Sequence, residues 1–380
     1  MRLKLPMSDL AWRNLVHDKV RLSVTLTGIV FAVVLIVVEL GLFVGFTTTT
    51  SGLIDRSNAD LWITSARVGY VEVGVPFSER KLYTVLSTPG VAQATKYIVR
   101  FAIWKRPDGR QESVQVIGLD PDQGMGGPWN LSTGTQASLK ESDNIIIDEL
   151  YKDKLGITQL GQIAEINGRR ARVVGFTSGI RSFTTSPYVF TSFKSAQDYS
   201  NVAVDQTLFM LVKVADGADV KTVQKALAAR LPDSDVHTAA EFSAMTREYW
   251  MFTTGAGVAV LLAAALGLVV GIVVVAQTIY ATTMDHLREY GTLKAIGANN
   301  SYLYRVIIQQ AVASAIVGYL LAMIVSYFVV KGSQTGGAAI LVPPQMVGGM
   351  FVLTVVMCVG AALVSINKVT RLDPAMVFKG

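Results

Sequence analysis

The chain has 380 residues and a net charge of +6, with 51% hydrophobic and 16% charged residues, where an average soluble domain carries roughly 25% charged residues. That balance argues against an ordinary soluble domain and for a membrane protein with a sizeable polar part. Nucleic-acid binding is excluded as the origin of the charge: residues 48–250 hold 22 basic and 22 acidic side chains, and the 12 basic and 6 acidic residues outside them make up the whole excess.

The N-terminal arm, residues 1–21, carries Arg2, Lys4, Arg13, Lys19 and Arg21. Within it, Leu10, Trp12, Leu15, Val16 and Val20 alternate with charges. The arm reads either as an amphipathic helix on the inner membrane surface, with Trp12 at headgroup level, or as a basic tail. Residues 22–47 are the first long apolar run. At 1.5 Å per residue they reach about 39 Å, enough to cross a ~30 Å hydrocarbon core. The run is too long for a signal-peptide core of about 7–15 residues, and it reads as a retained span. Glu39 lies in its outer half. A carboxylate there has to face protein or a water-filled cavity. It is either a cavity or substrate-contact residue, or a buried carboxyl hydrogen-bonded to a neighbouring helix.

Residues 48–250 read as an extracytoplasmic α+β domain. A strand candidate at 59–64, a helix capped by Ser78 and ended by Pro89-Gly90, and strands on either side of the turn Arg106–Gly109 form one β-α-β unit. Residues 207–238, with Asp219 capping the helix, repeat that grammar. Two such units predict a split ferredoxin-like sandwich, residues 48–120 and 206–250. The strand-rich stretch 121–205, with an Asn167-Gly168 hairpin, reads as an inserted β-rich subdomain. Thr238 and Glu241 form a capping box. No proline occurs between Pro232 and Pro343. A single helix is therefore expected from Ala239 through the second span to about Thr283, a rod of roughly 67 Å.

Three further apolar runs follow at 252–283, 302–330 and 347–366. Between them lie a polar segment at 284–301, a connection at 331–346 and a tail at 367–380. Basic residues cluster in the arm, the 284–305 region and the tail, whereas the 331–346 connection has only Lys331. The positive-inside rule then puts both termini and the 284–301 segment in the cytoplasm. Ala263, Gly267 and Gly271 set small residues on one face of the second span, either for packing within the chain or as a dimer seam. In the polar segment, Leu287, Tyr290, Leu293 and Ile296 recur every third residue, with Arg288, Glu289 and Lys294 between them. Gly297 and two asparagines stop the pattern. The segment reads as a short surface helix, a docking element.

The single cysteine, Cys358, permits no intrachain disulfide or thiol metal cluster. His17, His237 and His286 form no metal-ligand spacing. No G-x-S-x-G or H-E-x-x-H is present. No catalytic or metal residues are assigned, and the large domain reads as a binding and docking domain.

The run Glu289-Tyr-Gly-Thr-Leu-Lys-Ala-Ile-Gly297 resembles the E-x-x-x-L-[KR]-A-[IL]-G coupling segment of FtsX/MacB-type ABC transporter permeases. Together with FSERKLY (77–83), AIWKRPDGR (102–110) and EINGRRARVVG (165–175), it is similar to the DevC family of exporter permeases. Asp373-Pro374-Ala375 resembles the D-P-A end of that family. The resemblance implies a homodimeric permease whose coupling residues are Leu287, Arg288, Glu289, Tyr290, Leu293, Lys294, Ala295 and Gly297, with Asp373 and Pro374 near the ATPase. It implies two copies of a separate ABC ATPase and, in a Gram-negative cell, a periplasmic adaptor and an outer-membrane channel. Membrane lipids are the remaining partner, and no nucleic acid is expected. The chain has no G-x-x-x-x-G-K-[ST] loop, so ATP and Mg are expected on the partner and no cofactor on this chain. The implied function is ATP-driven extrusion of a hydrophobic or lipidic substrate from the bacterial inner membrane by mechanotransmission. The alternative is an FtsX-like member that transmits a signal to an extracytoplasmic partner without transport.

Overall fold

In a computed structural model, which describes residues 19–296, 298–333 and 339–370, the first apolar run is one helix, α1 (Lys19–Thr50). The described chain divides into a helical unit and an α+β unit, with boundaries near Val44, Ala259, Ser333 and Ile340. Residues 1–18 of the N-terminal arm, Gly297, Asp373 and Pro374 lie outside the described residues.

After a single helical turn at Gly52–Asp55, the α+β unit runs through β1 (Leu61–Ser65), the short β2 (Phe77–Ser78), α2 (Lys81–Leu86) and β3 (Val91–Lys105). The inserted segment supplies β4 (Gln111–Leu119), β5 (Leu131–Thr133), β6 (Asn144–Asp148), β7 (Ile163–Ile166), β8 (Arg169–Thr177), β9 (Tyr188–Ser192) and α3 (Phe193–Ser200). The chain returns through β10 (Gln206–Thr207), β11 (Phe209–Val214), α4 (Val220–Arg230) and β12 (Ser234–Thr238), then enters α5 (Ala239–Glu248).

Strand order β12-β1-β11-β3, antiparallel at each step, with α2 and α4 as the two crossovers, is the split ferredoxin-like arrangement. Alternation along β1 explains its two faces. Leu61 and Ile63 pack with Val85 of α2 and with Val223 and Leu227 of α4. Trp62 points the other way, edge-on to Tyr97 and Phe209 and tilted against Phe242 of α5.

β3 is long enough, at 15 residues, to serve two structures. Its first half pairs with β11 and its second half with β4. From there β4, β9, β6 and β8 pair in turn, and β7 pairs with both β8 and β3. These contacts close six strands into a small barrel, which removes unpaired edges. The predicted start of the insert at residue 121 is therefore too late. β4, at 111–119, belongs to the barrel because its partners are the far half of β3 and β9. The Asn167-Gly168 turn joins β7 to β8 with φ of 46° and 79°, as a two-residue hairpin of this type requires. Asn167 Oδ1 also accepts the Ile103 N–H at 3.0 Å.

Two local expectations fail. Ser78 does not cap α2: it lies in β2, and the cap position is Arg80, which makes no side-chain capping bond. The expected rod is interrupted. Thr238 and Glu241 do form the capping box of α5, but that helix gives way to a π-turn at Tyr249–Thr253. Thr254 donates its N–H to Tyr249 O, five residues back, and Gly255 then takes φ +74°. Thr254 Oγ1 accepts the Ala256 N–H at 3.2 Å, and a new helix, α6 (Ala256–Asp285), begins. The cause is glycine's access to positive φ, which proline counting does not register.

The helical unit continues with α7 (Leu287–Ala295), α8 (Asn300–Ser333) and α9 (Pro344–Thr370). Among the described residues, four helices are long and apolar enough to cross a membrane: Leu22–Thr50, Ala256–Asp285, Asn300–Ser333 and Pro344–Ser365. Their shared core takes Ile29, Ile36 and Val37 from α1, Val275 and Ile279 from α6, Leu303 to Ala322 at helical spacing from α8, and Met357, Cys358 and Ala362 from α9. Large apolar side chains such as Phe31, Leu266, Phe328 and Val364 face outward, as expected of helices in lipid rather than water.

Candidate coupling surface

The sequence MDHLREYGTL changes direction at His286. There φ and ψ of −88° and 8° end one helix and precede α7. Tyr290, one turn into α7, is 2% exposed and belongs to the core of the helical unit. Its hydroxyl donates to Gln310 Oε1 of α8 at 2.8 Å. Burial, and after it the Glu289 charge, pushes the phenol pKa up, so Tyr290 stays a neutral donor. Leu293 packs against the same core, and α7 also contacts α9. A helix of nine residues is not stable alone. Its position rests on these anchors.

The other side of α7 looks outward. Glu289 is 51% exposed, with Oε1 at 3.0 Å from Nδ1 of the nearly buried His286. Thr292 is exposed, and Ile296, at the C-cap, is 80% exposed. The threefold apolar spacing therefore does not describe one buried stripe. Threefold spacing drifts around a helix of 3.6 residues per turn. Tyr290 faces in, Leu293 sits at the margin, and Ile296 faces out. The helix closes with Ala298 N–H on Leu293 O at 3.0 Å, the outer bond of a Schellman closure. Leu287, Arg288 and Ala295 lie on α7, and Lys294 is half-buried on its last turn.

The small-residue row of α6 is used inside the chain. A Cβ on Gly267 would lie 3.0 Å from Glu39 Cγ, and one on Gly271 would lie 2.6 Å from Ile36 Cδ1. Both partners are on α1. Gly267 and Gly271 thus serve the packing reading, and Ala263 is half-buried at the end of the row. The α1–α6 contact continues through the hydroxyls of Thr25 and Thr282, 2.8 Å apart. Glu39 is half-buried beside Gly267, and no hydrogen bond or ion pair to it is seen among the described residues.

Sequence reasoning missed several polar partners. Gln310 was legible as an amide within an apolar span, a type that pairs across helices. Glu72 left no signal. It lies between β1 and β2, and its Oε2 accepts from Trp250 Nε1 of the π-turn at 3.2 Å. Oε1 is fully buried and lacks a hydrogen-bond partner among the described residues. Desolvation raises its pKa from the usual 4.5 to about 7, against a smaller lowering by the Trp250 bond. Around it, Tyr70 stacks on Tyr249 at 3.7 Å, and Phe183 meets Trp250 edge-on at 4.4 Å.

Among the described residues, the chain thus sets four helices long and apolar enough to cross a membrane, a short anchored helix between the second and third, and a ferredoxin-like domain carrying an inserted barrel. Residues 22–230 match the MacB-like periplasmic core domain, and residues 261–374 match the FtsX-like permease C-terminal domain. The chain belongs to the MacB-like, FtsX-like ABC transporter permease family. An uncharacterized ABC transporter permease of Mycobacterium tuberculosis is 24% identical over 388 residues, covering 98% of each chain. The uncharacterized ABC transporter permease YknZ of Bacillus subtilis is 26% identical over 253 residues, covering 60% of this chain and 59% of that protein. Among solved structures, the periplasmic region of MacB from Actinobacillus actinomycetemcomitans aligns with TM-score 0.39 and 14% identity, over 48% of this chain and 90% of that one. The family match over residues 22–230, together with the four apolar helices, fits an inner-membrane protein whose α+β unit is extracytoplasmic.

Proposed function

We propose that this chain is the subunit through which a separate ABC ATPase drives movements of the extracytoplasmic domain to extrude a hydrophobic or lipidic substrate. ATP and Mg bind the partner. The chain works as a homodimer with two ATPase copies, both termini and α7 on the cytoplasmic side, and an adaptor and outer-membrane channel where the envelope has an outer membrane. Placement among DevC-type permeases rests on the segments at 77–83, 102–110 and 165–175.

The observation that supports coupling is α7 itself. One side is fixed to the helical core through Tyr290 and Gln310, and the other offers Glu289, Thr292 and Ile296. A short helix held on one side and open on the other passes a push on its outer surface to the spans beneath it. The FtsX-like match over 261–374 equally favours the second reading, a transmitter that does not transport.

Reconstitution with the cognate ATPase in proteoliposomes tests both. ATP hydrolysis stimulated by an amphiphile, with ATP-dependent loss of that amphiphile from the membrane, is the outcome for a pump. ATP-dependent change in the extracytoplasmic domain without either effect identifies the transmitter. Failure of the chain to bind any ABC ATPase contradicts both.

A further inference from the structure

The outer surface of the barrel carries a charged groove that the coupling function does not use. Its position follows from strand register. Lys105 of β3 lies opposite Glu165 of β7, which lies opposite Arg170 of β8. Side chains on neighbouring strands at one level share a face, so these three stand in a row on the barrel exterior. Inward neighbours Trp104, Ile166 and Ala171 are buried, and the exterior positions are partly or fully exposed. Arg106, Pro107, Ile163, Ala164 and Gly168 complete the lining of a cavity of about 470 Å³.

The charges in this groove are incompletely matched. Lys105 pairs with Glu165 at 3.3 Å. Arg106 donates from Nη1 to Lys154 O at 2.8 Å, and its Nη2 lies 3.1 Å from Asp108 Oδ2. Asp108 is shared, because Arg110 also binds it through Nε and Nη2 at 2.9 and 2.6 Å. Arg106 Nε is buried and has no hydrogen-bond partner among the described residues. A buried donor without an acceptor is uncommon and calls for a missing partner. The Arg170 guanidinium has no hydrogen-bond or ion-pair partner among the described residues; only its backbone oxygen is engaged, by Tyr199. Lining charges are three cations and one carboxylate, a local excess of two.

We propose that this groove binds an organic phosphate. A phosphate monoester carries about −1.5 to −2 charge at neutral pH, close to the excess present, whereas a single carboxylate leaves one cation unmatched. Arginine's planar fork suits phosphate oxygens, and the exposed guanidinium of Arg170, with Lys105 in the same row, supplies donors. The cavity is larger than one phosphate, and the exposed Ile163 and Pro107 give its carbon skeleton an apolar wall. Such a phosphate comes either from a small soluble ester or from a lipid headgroup.

The test is binding to the full chain in nanodiscs of phosphatidylcholine, with glycerol 3-phosphate as the soluble probe and lysophosphatidate as the lipid probe. Saturable binding is expected for at least one probe. Arg170→Gln, an exposed change away from the barrel core, is expected to weaken it about tenfold, the loss of one charge-assisted hydrogen bond. Glu165→Gln is expected to strengthen it by removing the repelling carboxylate, an effect that misfolding cannot imitate. Binding of glycerol 3-phosphate identifies a soluble ester as sufficient. Binding of lysophosphatidate alone, with the same response to both variants, assigns the phosphate to a lipid. No saturable binding of either probe, or binding indifferent to Arg170→Gln, overturns the proposal.

Discussion

Glu72 shows how one side chain can set a pH dependence. Its pKa in the folded chain is about 7 against an ordinary 4.5. Between those values the folded state binds more protons than the unfolded state, so stability falls as pH rises from about 4.5 to about 7 and levels off above that. The full effect is on the order of 3 kcal/mol, from about 1.4 kcal/mol per pH unit of displacement. Glu72→Gln keeps an oxygen acceptor for Trp250 Nε1 and removes the charge. Thermal unfolding of the variant is expected to lose this pH dependence and to exceed the wild type above pH 7. An unchanged pH profile would refute burial of Glu72 as its origin. The residue was invisible in the sequence because its environment is assembled from residues 70–72, 183, 188 and 249–250, far apart along the chain. Tyr290 was partly legible: its position in the apolar spacing was read, but not the Gln310 acceptor twenty residues on.

Helices and strands were legible where one periodicity or one turn decides the outcome. The Asn167-Gly168 hairpin, the Asp219 cap and the Thr238–Glu241 box all form where the residues indicate, because each is satisfied by neighbours within a few positions. The rod and the insert boundary were not legible. One depended on the π-turn and positive φ at Gly255, the other on β3 pairing with different strands along its two halves. The same contrast governs the helical glycines. Gly318 faces Ile29, where a Cβ would lie 2.6 Å from Cγ2 and 3.0 Å from Cβ, whereas Gly360 has open space. Alanine raises helix propensity by about 1 kcal/mol at either site. Overpacking costs about 1–3 kcal/mol only at the first. Gly318→Ala is thus expected to lower the unfolding temperature in detergent and Gly360→Ala to leave it equal or higher. Equal responses would show that α1 and α8 do not approach closely through Gly318.

At the scale of the whole molecule, hydropathy and Lys/Arg placement predict four spans and a large domain, and among the described residues four helices have sufficient length and apolarity. The ferredoxin-like order β12-β1-β11-β3 was anticipated from the repeated β-α-β grammar, while closure of the insert into a barrel was not, since β7 joins strands far apart in sequence. Substrate chemistry leaves no comparable pattern: the membrane helices present aliphatic surfaces that read alike for lipid and ligand. The central claim is that ATPase motion enters through the outward side of α7, and Ile296 addresses it most directly. This residue is 80% exposed at the end of the helix and lies outside the buried core. Ile296→Asp should therefore leave folding intact while disrupting an apolar contact with a partner. The measurement is co-purification of the full-length variant with its cognate ATPase from membranes, with thermal unfolding as the control. The account predicts at least about a tenfold loss of ATPase recovery, the scale of burying a carboxylate in an apolar contact, with unfolding unchanged. Undiminished recovery would contradict it.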